Sequence, residues 1–115
     1  MIDISDGIAL FNDCDFFAAH DFFEDIWMDA DRNEKEFFQG LVQVSVGCYH
    51  LICGNLKGAK SQLSKSRSKL NKFEPDYYGI NLLLLNIKIE KLLKVINSNN
   101  IKKQIPKIEL INKIS

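Results

Sequence analysis

Two histidines, a glutamate and two glutamines are the side chains of this sequence best placed to do chemistry together. His20 and Glu24 stand at i and i+4 in a stretch of helical periodicity, the spacing at which two side chains meet or ligate one ion. Gln39, Gln43 and His50 fall within about 40° of one another on a second helical stretch. Burying two amides, two imidazoles and a carboxylate is costly unless they satisfy one another. These five residues are therefore expected to form one network between two facing helices. Trp27, one turn beyond Glu24, is expected to wall it, with Glu24 and Gln43 largely buried and within hydrogen-bond reach of His20 or His50. Such a network serves either as a polar core that fixes helix register or as a site for a small ligand or divalent metal. His and Glu projecting into a bundle are how metal sites are built. As ligands the set offers His20, Glu24 and His50, only three, and Gln binds zinc poorly. Hydrolysis with Glu24 as general base extends that reading, but no nucleophile is paired with a base.

Other motifs are weaker. Cys48-x-His50-x2-Cys53 has ligand-like spacing, yet on a helix Cys48 and Cys53 diverge by about 140°, so small buried cysteine is the expectation. The sequence contains no Gly-rich phosphate loop, no HExxH and no GxSxG.

The elements that must position the cluster read as helices. Over residues 7–30, Phe16, Ala19, Phe23, Ile26, Trp27 and Ala30 share one face, with His20 and Glu24 at its edge. A charged loop follows and ends near Asn33, an expected N-cap. Residues 35–53 are apolar almost all round, as suits the centre of a bundle, although alternation over 42–46 also suits a strand. Gly40, Gly47 and Gly54 fall seven apart, which predicts close approach by a neighbouring helix. Gly54-Asn55 reads as a C-terminal cap followed by the next N-cap. A third helix over 56–73 carries a seam of Leu56, Ala59, Leu63, Ser66, Leu70 and Phe73. Pro75 ends it, and a fourth helix is predicted from Tyr77 to Ile96. The expected architecture is a single all-α domain over residues 1–97, an antiparallel bundle of four main helices, with a loop at Ser98–Asn100 and a tail over 98–115.

Size and composition agree. The chain has 115 residues, 46% of them hydrophobic, enough for a core without metal or disulfide staples. Disorder and collagen-like repeats are excluded. Fifteen bases and fifteen acids cancel, so no global field draws the protein to nucleic acid or anionic lipid. Residues 1–36 nevertheless hold eleven acids against Arg32 and Lys35, and residues 37–115 hold thirteen bases against four acids. Attraction between an acidic first helix and basic later ones is expected. The third helix bears Lys57, Lys60, Lys65, Arg67, Lys69 and Lys72 without an acid, a footprint that a phosphate backbone would fit. Scarce aromatics and zero net charge argue against that partner. Three cysteines without a CxxC pair predict free thiols in a reducing compartment. The longest apolar run is too short to cross a bilayer, so a soluble protein is expected, and a homo-oligomer is left open.

Leu10-Phe11-Asn12, Phe16-Phe17, His20, Glu24 and Trp27, then Gln39-Gly40-Leu41, Gln43, His50, Gly54-Asn55 and Gly58-Ala59, together resemble a known signature. It is that of the domain of unknown function 309 family, small all-helical proteins of bacteria and plastids, and the resemblance spans residues 8 to about 81. The family's first motif usually reads His-Glu with a second Glu three further on, and Asp21 stands here in place of the first Glu. The resemblance implies an all-α fold in which Asn12, Gly40, Gly54, Asn55 and Gly58 are motif positions, and it implies no activity. With the Asn-, Lys- and Ile-rich tail, it points to the cytoplasm or the plastid stroma and to a plastid-encoded origin.

Overall fold

The computed structural model describes residues 2–96 and 105–111. They form an all-α bundle of five α-helices with one two-stranded hairpin. The predicted loop at Ser98–Asn100 lies outside the described residues.

The first predicted helix is two: α1 (Ser5–Asn12) and α2 (Phe16–Asp29). Between them Cys14 adopts the left-handed conformation (φ 62°). Its N–H donates to the Phe11 carbonyl, and the Asp15 N–H reaches back to Leu10. That is the two-bond closure with which helices usually end on glycine. Asp15 then caps α2 by accepting from the Ala18 N–H. The wheel missed this break because Phe11 and Phe16 pack edge to face across it at 5.0 Å, which keeps the apolar face continuous.

After α2, Asp31 rather than Asn33 stands at the N-cap of α3 (Arg32–Ile52). Phe37, Phe38, Leu41, Val44 and Cys48 of α3 are fully buried, and α2 and α4 (Leu56–Leu70) both pack on this helix. The strand alternative for 42–46 does not occur. Gly54 (φ 81°) and Asn55 end α3 and start α4 as the sequence predicts, with the Asn55 side chain accepting from the Gly58 N–H. Two of the three spaced glycines serve close approach. A Cβ on Gly40 would lie 2.6 Å from a Leu70 methyl, and one on Gly47 would lie 2.8 Å from Leu63 Cγ. Gly54 is different: its Cβ would meet nothing, and its left-handed backbone is what requires glycine.

The seam of α4 buries Ala59, Leu63, Ser66 and Leu70, with Leu56 and Phe73 half-buried. Its last turn tightens to 3₁₀ over Asn71–Phe73. The predicted fourth helix begins five residues late. Asp76–Tyr77 (β1) and Ile80–Asn81 (β2) form an antiparallel hairpin, turning through Tyr78 and Gly79, both at positive φ. Asn81 then caps α5 (Leu82–Val95) by accepting from the Leu84 N–H.

This hairpin closes over an aromatic cluster. Phe37 meets Phe38, Phe73 and Tyr77 edge to face at 4.8–5.5 Å and stacks on Tyr78 at 5.4 Å. The Tyr78 hydroxyl donates to Glu34 at 2.7 Å. Burial first, and then the bond to Glu34, pushes the Tyr78 phenol up to about 12. The folded chain therefore holds this proton where the unfolded chain has released it, and stability falls as pH rises from about 10 to about 12. Tyr78→Phe should lose about 1–3 kcal/mol near neutral pH, the worth of a hydrogen bond to a charged group. Its stability should also decline less steeply than wild type on the alkaline side, as urea midpoints measured up to pH 11.5 would show.

Residues 105–111 run back along the bundle. Ile108 is buried, Leu110 bridges Ile80, the Asn81 N–H donates to the Glu109 carbonyl, and the Ile111 N–H donates to Gly79. From α1, Asn12 reads the backbone of Ile108 in both directions. Its Nδ2 donates to the carbonyl at 2.9 Å, and its Oδ1 accepts from the N–H at 2.8 Å. Asn12→Ala should strand both backbone groups at a cost of about 1–3 kcal/mol. Hydrogen exchange at Ile108 should accelerate accordingly, and unchanged protection there would contradict the assignment.

The charge separation is bridged at few points. Lys72 pairs with Glu36 across it at 2.9 Å, whereas Arg67 pairs with Glu90 inside the basic part at 3.2 Å. The basic face of α4 does not dock on the acidic first helices, because α4 packs instead on α3 and α5. Among the described residues, Lys57, Lys60 and Lys65 are exposed and take no carboxylate partner.

Candidate functional site

Between α2 and α3 lies a half-open groove of about 200 Å³, lined by Phe17, His20, Val46, Tyr49 and His50. The helical repeat puts Phe17 and His20 on one edge of α2, and Val46, Tyr49 and His50 on one face of α3. Their rings form a chain. His20 meets Phe17 at 5.5 Å, Phe17 meets Tyr49 at 5.7 Å, and Tyr49 meets His50 at 6.3 Å. Phe17 is 55% exposed and Tyr49 37%, so an aromatic wall faces solvent where a polar core was expected. The Tyr49 phenol is raised, chiefly by its bond with the Cys53 thiol one turn on.

The two imidazoles are held differently. His20 Nε2 lies 3.0 Å from Glu24, and its Nδ1 lies 3.2 Å from the Phe17 carbonyl and 3.3 Å from Asp21. Each ring nitrogen faces an oxygen, so one of them donates in either tautomer. His50 belongs to the turn that joins α3 to α4. Asn55 spends its oxygen on the Gly58 N–H, which fixes the amide so that Nδ2 points at His50 Nδ1, 3.4 Å away. Nδ1 then accepts, and the proton sits on Nε2. A Cβ on Gly58 would strike both Asn55 (2.7 Å) and the His50 ring (3.0 Å). Gly54, Asn55 and Gly58 thus act together to orient one imidazole.

The sequence reading therefore needs correction. His20, Glu24 and His50 do not come together as metal ligands. Among the described residues no three His, Cys, Asp or Glu side chains converge to hold an ion. Nor is the cluster sealed, because the Glu24 side chain is 45% exposed. The wheel placed His20 and Glu24 at the edge of the apolar face, and that edge is the protein surface. Gln43 lies one turn before Val46, with its Oε1 buried and without a hydrogen-bond partner among the described residues. Gln39 is half-buried beside the buried Phe38 and Gly40. Trp27 is half-buried and carries Lys35 over its ring at 5.7 Å rather than walling the imidazoles. Cys48 is buried, which pushes its thiol up, while Cys53 is exposed, so the two do not share a site. Sequence reasoning missed Phe17, Val46 and Tyr49. Phe17 stands three residues before His20, and that shared helix edge was the available signal.

One consequence concerns Glu24. Replacing it by Ala should cost no more than about 1 kcal/mol, since half-exposed ion pairs are weak. A thermal melt showing a larger loss would restore the buried network.

The groove lies wholly within residues 4–62, and those residues, slightly more than half of the chain, match the family model described as Domain of unknown function (DUF309). The chain belongs to the DUF309 family. Among proteins of curated function, none matches it. The DUF309 region comprises α1, α2, α3 and the first half of α4. It therefore holds every groove residue and the Gly54–Gly58 turn, and it stops short of the hairpin and α5. Among the described residues, no helix is long and apolar enough to cross a membrane.

Proposed function

We propose that this protein is a partner-binding domain whose α2–α3 groove takes one apolar side chain from a protein partner. The observation that supports this is the solvent-facing series of rings around a cavity of about 200 Å³. Sites for drug-sized ligands and cofactors run to roughly 300–1,000 Å³, so this groove suits a single anchoring side chain of the kind that dominates interface energetics. Ile52, 49% exposed and three residues beyond Tyr49, extends the apolar rim. His20 and His50 border the wall and offer hydrogen bonds to the backbone of whatever enters. The same proposal places the protein in solution in a reducing compartment, the cytoplasm or plastid stroma, where the exposed Cys14 and Cys53 stay thiols.

N-acetyl-tryptophanamide and N-acetyl-leucinamide serve as single-side-chain probes of the groove, followed by the Val46 methyl and His50 ring resonances. Saturable shifts with Kd near about 1 mM are expected, the affinity a fragment of that size reaches. Val46→Trp fills the groove from within and should abolish the shift of the His50 ring, the reporter that this variant retains. Equal shifts in that variant, or none in wild type, would overturn the proposal.

A further inference from the structure

The face of α4 turned away from the core carries charge of one sign. At about 100° per residue, Ser61, Ser64 and Ser68 fall within about 60° of one another along its centre, and all three are exposed. Lys57 stands at the head of that stripe, with Lys60 flanking it on one side and Lys65 on the other. Residues 56–70 include no Asp or Glu. Among the described residues no carboxylate pairs with these three lysines. The buried Ser45 and Ser66 bond to carbonyls of their own helix, at 2.9 and 2.8 Å. The hydroxyls of Ser61, Ser64 and Ser68 make no such bond among the described residues. Ammonium donors therefore border a row of hydroxyls that can both donate and accept.

Composition selects the partner. Lysine and serine are both depleted at protein–protein interfaces, which rest on aromatic and apolar anchors. Among the described residues, none of the exposed large apolar side chains lies on α4. The face thus has nothing to bury in a lipid surface and no ring on which unpaired bases would stack. Lysine and serine are, by contrast, among the side chains that contact phosphate oxygens and sugars. Arg67 is engaged by Glu90 at 3.2 Å, so no free guanidinium is offered to base edges. A-form RNA displays 2′-hydroxyls and phosphates across a wide, shallow minor groove. Helix α4, packed along its inner side on α3 and α5, offers a shallow face of matching chemistry. Zero net charge is no obstacle, because the signs are segregated. The acids of α1 and α2 lie beyond α3, and a helix diameter of about 10 Å exceeds the Debye length of about 8 Å at physiological salt.

We infer that α4 docks on the phosphate and ribose surface of double-stranded RNA without reading its sequence. The surface uses no residue of the α2–α3 groove, so the two proposals stand or fall separately.

The test follows the fluorescence anisotropy of a labelled RNA duplex as the full chain is added at low salt. Saturable binding is expected. Three neutralised phosphates give a slope of about −2.7 in log K against log salt, so going from about 50 to about 200 mM should weaken binding about 40-fold. The triple variant Lys57→Gln, Lys60→Gln, Lys65→Gln changes only exposed positions and keeps helix propensity, so it should stay folded. It should lose binding, and each substitution alone should flatten the slope by about 0.9. Arginine at the same three positions keeps the charge and should retain binding. Ser61→Ala, Ser64→Ala, Ser68→Ala together should leave the salt slope unchanged and erase the preference for RNA over a DNA duplex of the same sequence. No binding at low salt would overturn the inference. So would equal affinity of the wild type for the DNA duplex, tighter binding to single-stranded RNA or phosphatidylserine vesicles, or a wild-type salt slope in the glutamine variant.

Discussion

Phe37→Ala is expected to be the most damaging single truncation in the protein. Phe37 is fully buried near the start of α3, and its ring touches Phe38, Phe73, Tyr77 and Tyr78. Phe73 comes from the 3₁₀ turn and Tyr77 and Tyr78 from the hairpin, so one side chain of α3 joins three elements. Removing a buried phenylalanine costs about 3–5 kcal/mol, the transfer term plus the cavity left behind. Against a total stability of about 5–15 kcal/mol, the variant should unfold at a much lower urea concentration or fail to fold at ambient temperature. Phe37→Leu keeps most of the volume and should lose clearly less. A urea midpoint for Phe37→Ala within about 1 kcal/mol of wild type would mean that the aromatic cluster does not hold the hairpin down.

The second large effect is at Gly47, where nothing is removed and one atom is added. A Cβ there would stand 2.8 Å from Leu63 Cγ, 2.9 Å from a Leu63 methyl and 3.2 Å from the Leu63 backbone nitrogen. A side chain can swing aside, but a backbone atom moves only with its helix. Gly47→Ala gains about 1 kcal/mol in helix propensity and meets overpacking of about 1–3 kcal/mol, so a net loss is expected. Gly47→Val adds two further carbons at the same contact and should lose more than about 3 kcal/mol. Gly54→Ala is the control, since its Cβ has room and only the left-handed φ is penalised, at about 1–2 kcal/mol. If Gly47→Val unfolded no earlier than Gly54→Ala, the close contact of α3 and α4 would be wrong.

These two positions also show what the sequence can reveal. The glycine spacing made the α3–α4 approach legible, because a residue without a side chain on an apolar helix asks to be explained by a neighbour. It misled at Gly54, where the same spacing coincided with a cap. The all-α class, the buried character of α3 and the Gly54-Asn55 turn were likewise legible, since each rests on contacts within a few residues. The hairpin at Asp76–Asn81 was not. Two residues per strand carry no period, and Asn81 acts as an N-cap that the helical pattern of the following leucines conceals. At the α2–α3 groove the residue types were found but their surroundings were not. A wheel gives the angle of His20 and Glu24 around their own helix, but the position of the neighbouring helix decides whether that angle is core or surface. Phe17 stayed hidden for a related reason, because an exposed aromatic looks like a core residue until its partners are known.

The contact between Asn12 and Ile108 joins residues 96 apart in the chain. A ribosome adding about 5–20 residues per second therefore finishes α1 several seconds, and up to about 20 s, before it makes Ile108. Throughout that interval the Asn12 amide, and over its last part the open edge of Ile80–Asn81, await a segment that does not yet exist. Any extended segment nearby can fill the vacancy, including residues 105–111 of a neighbouring nascent copy, and such an exchange would leave two chains swapped. The order of synthesis therefore makes this late closure the step at which crowded translation of the message is most exposed to error.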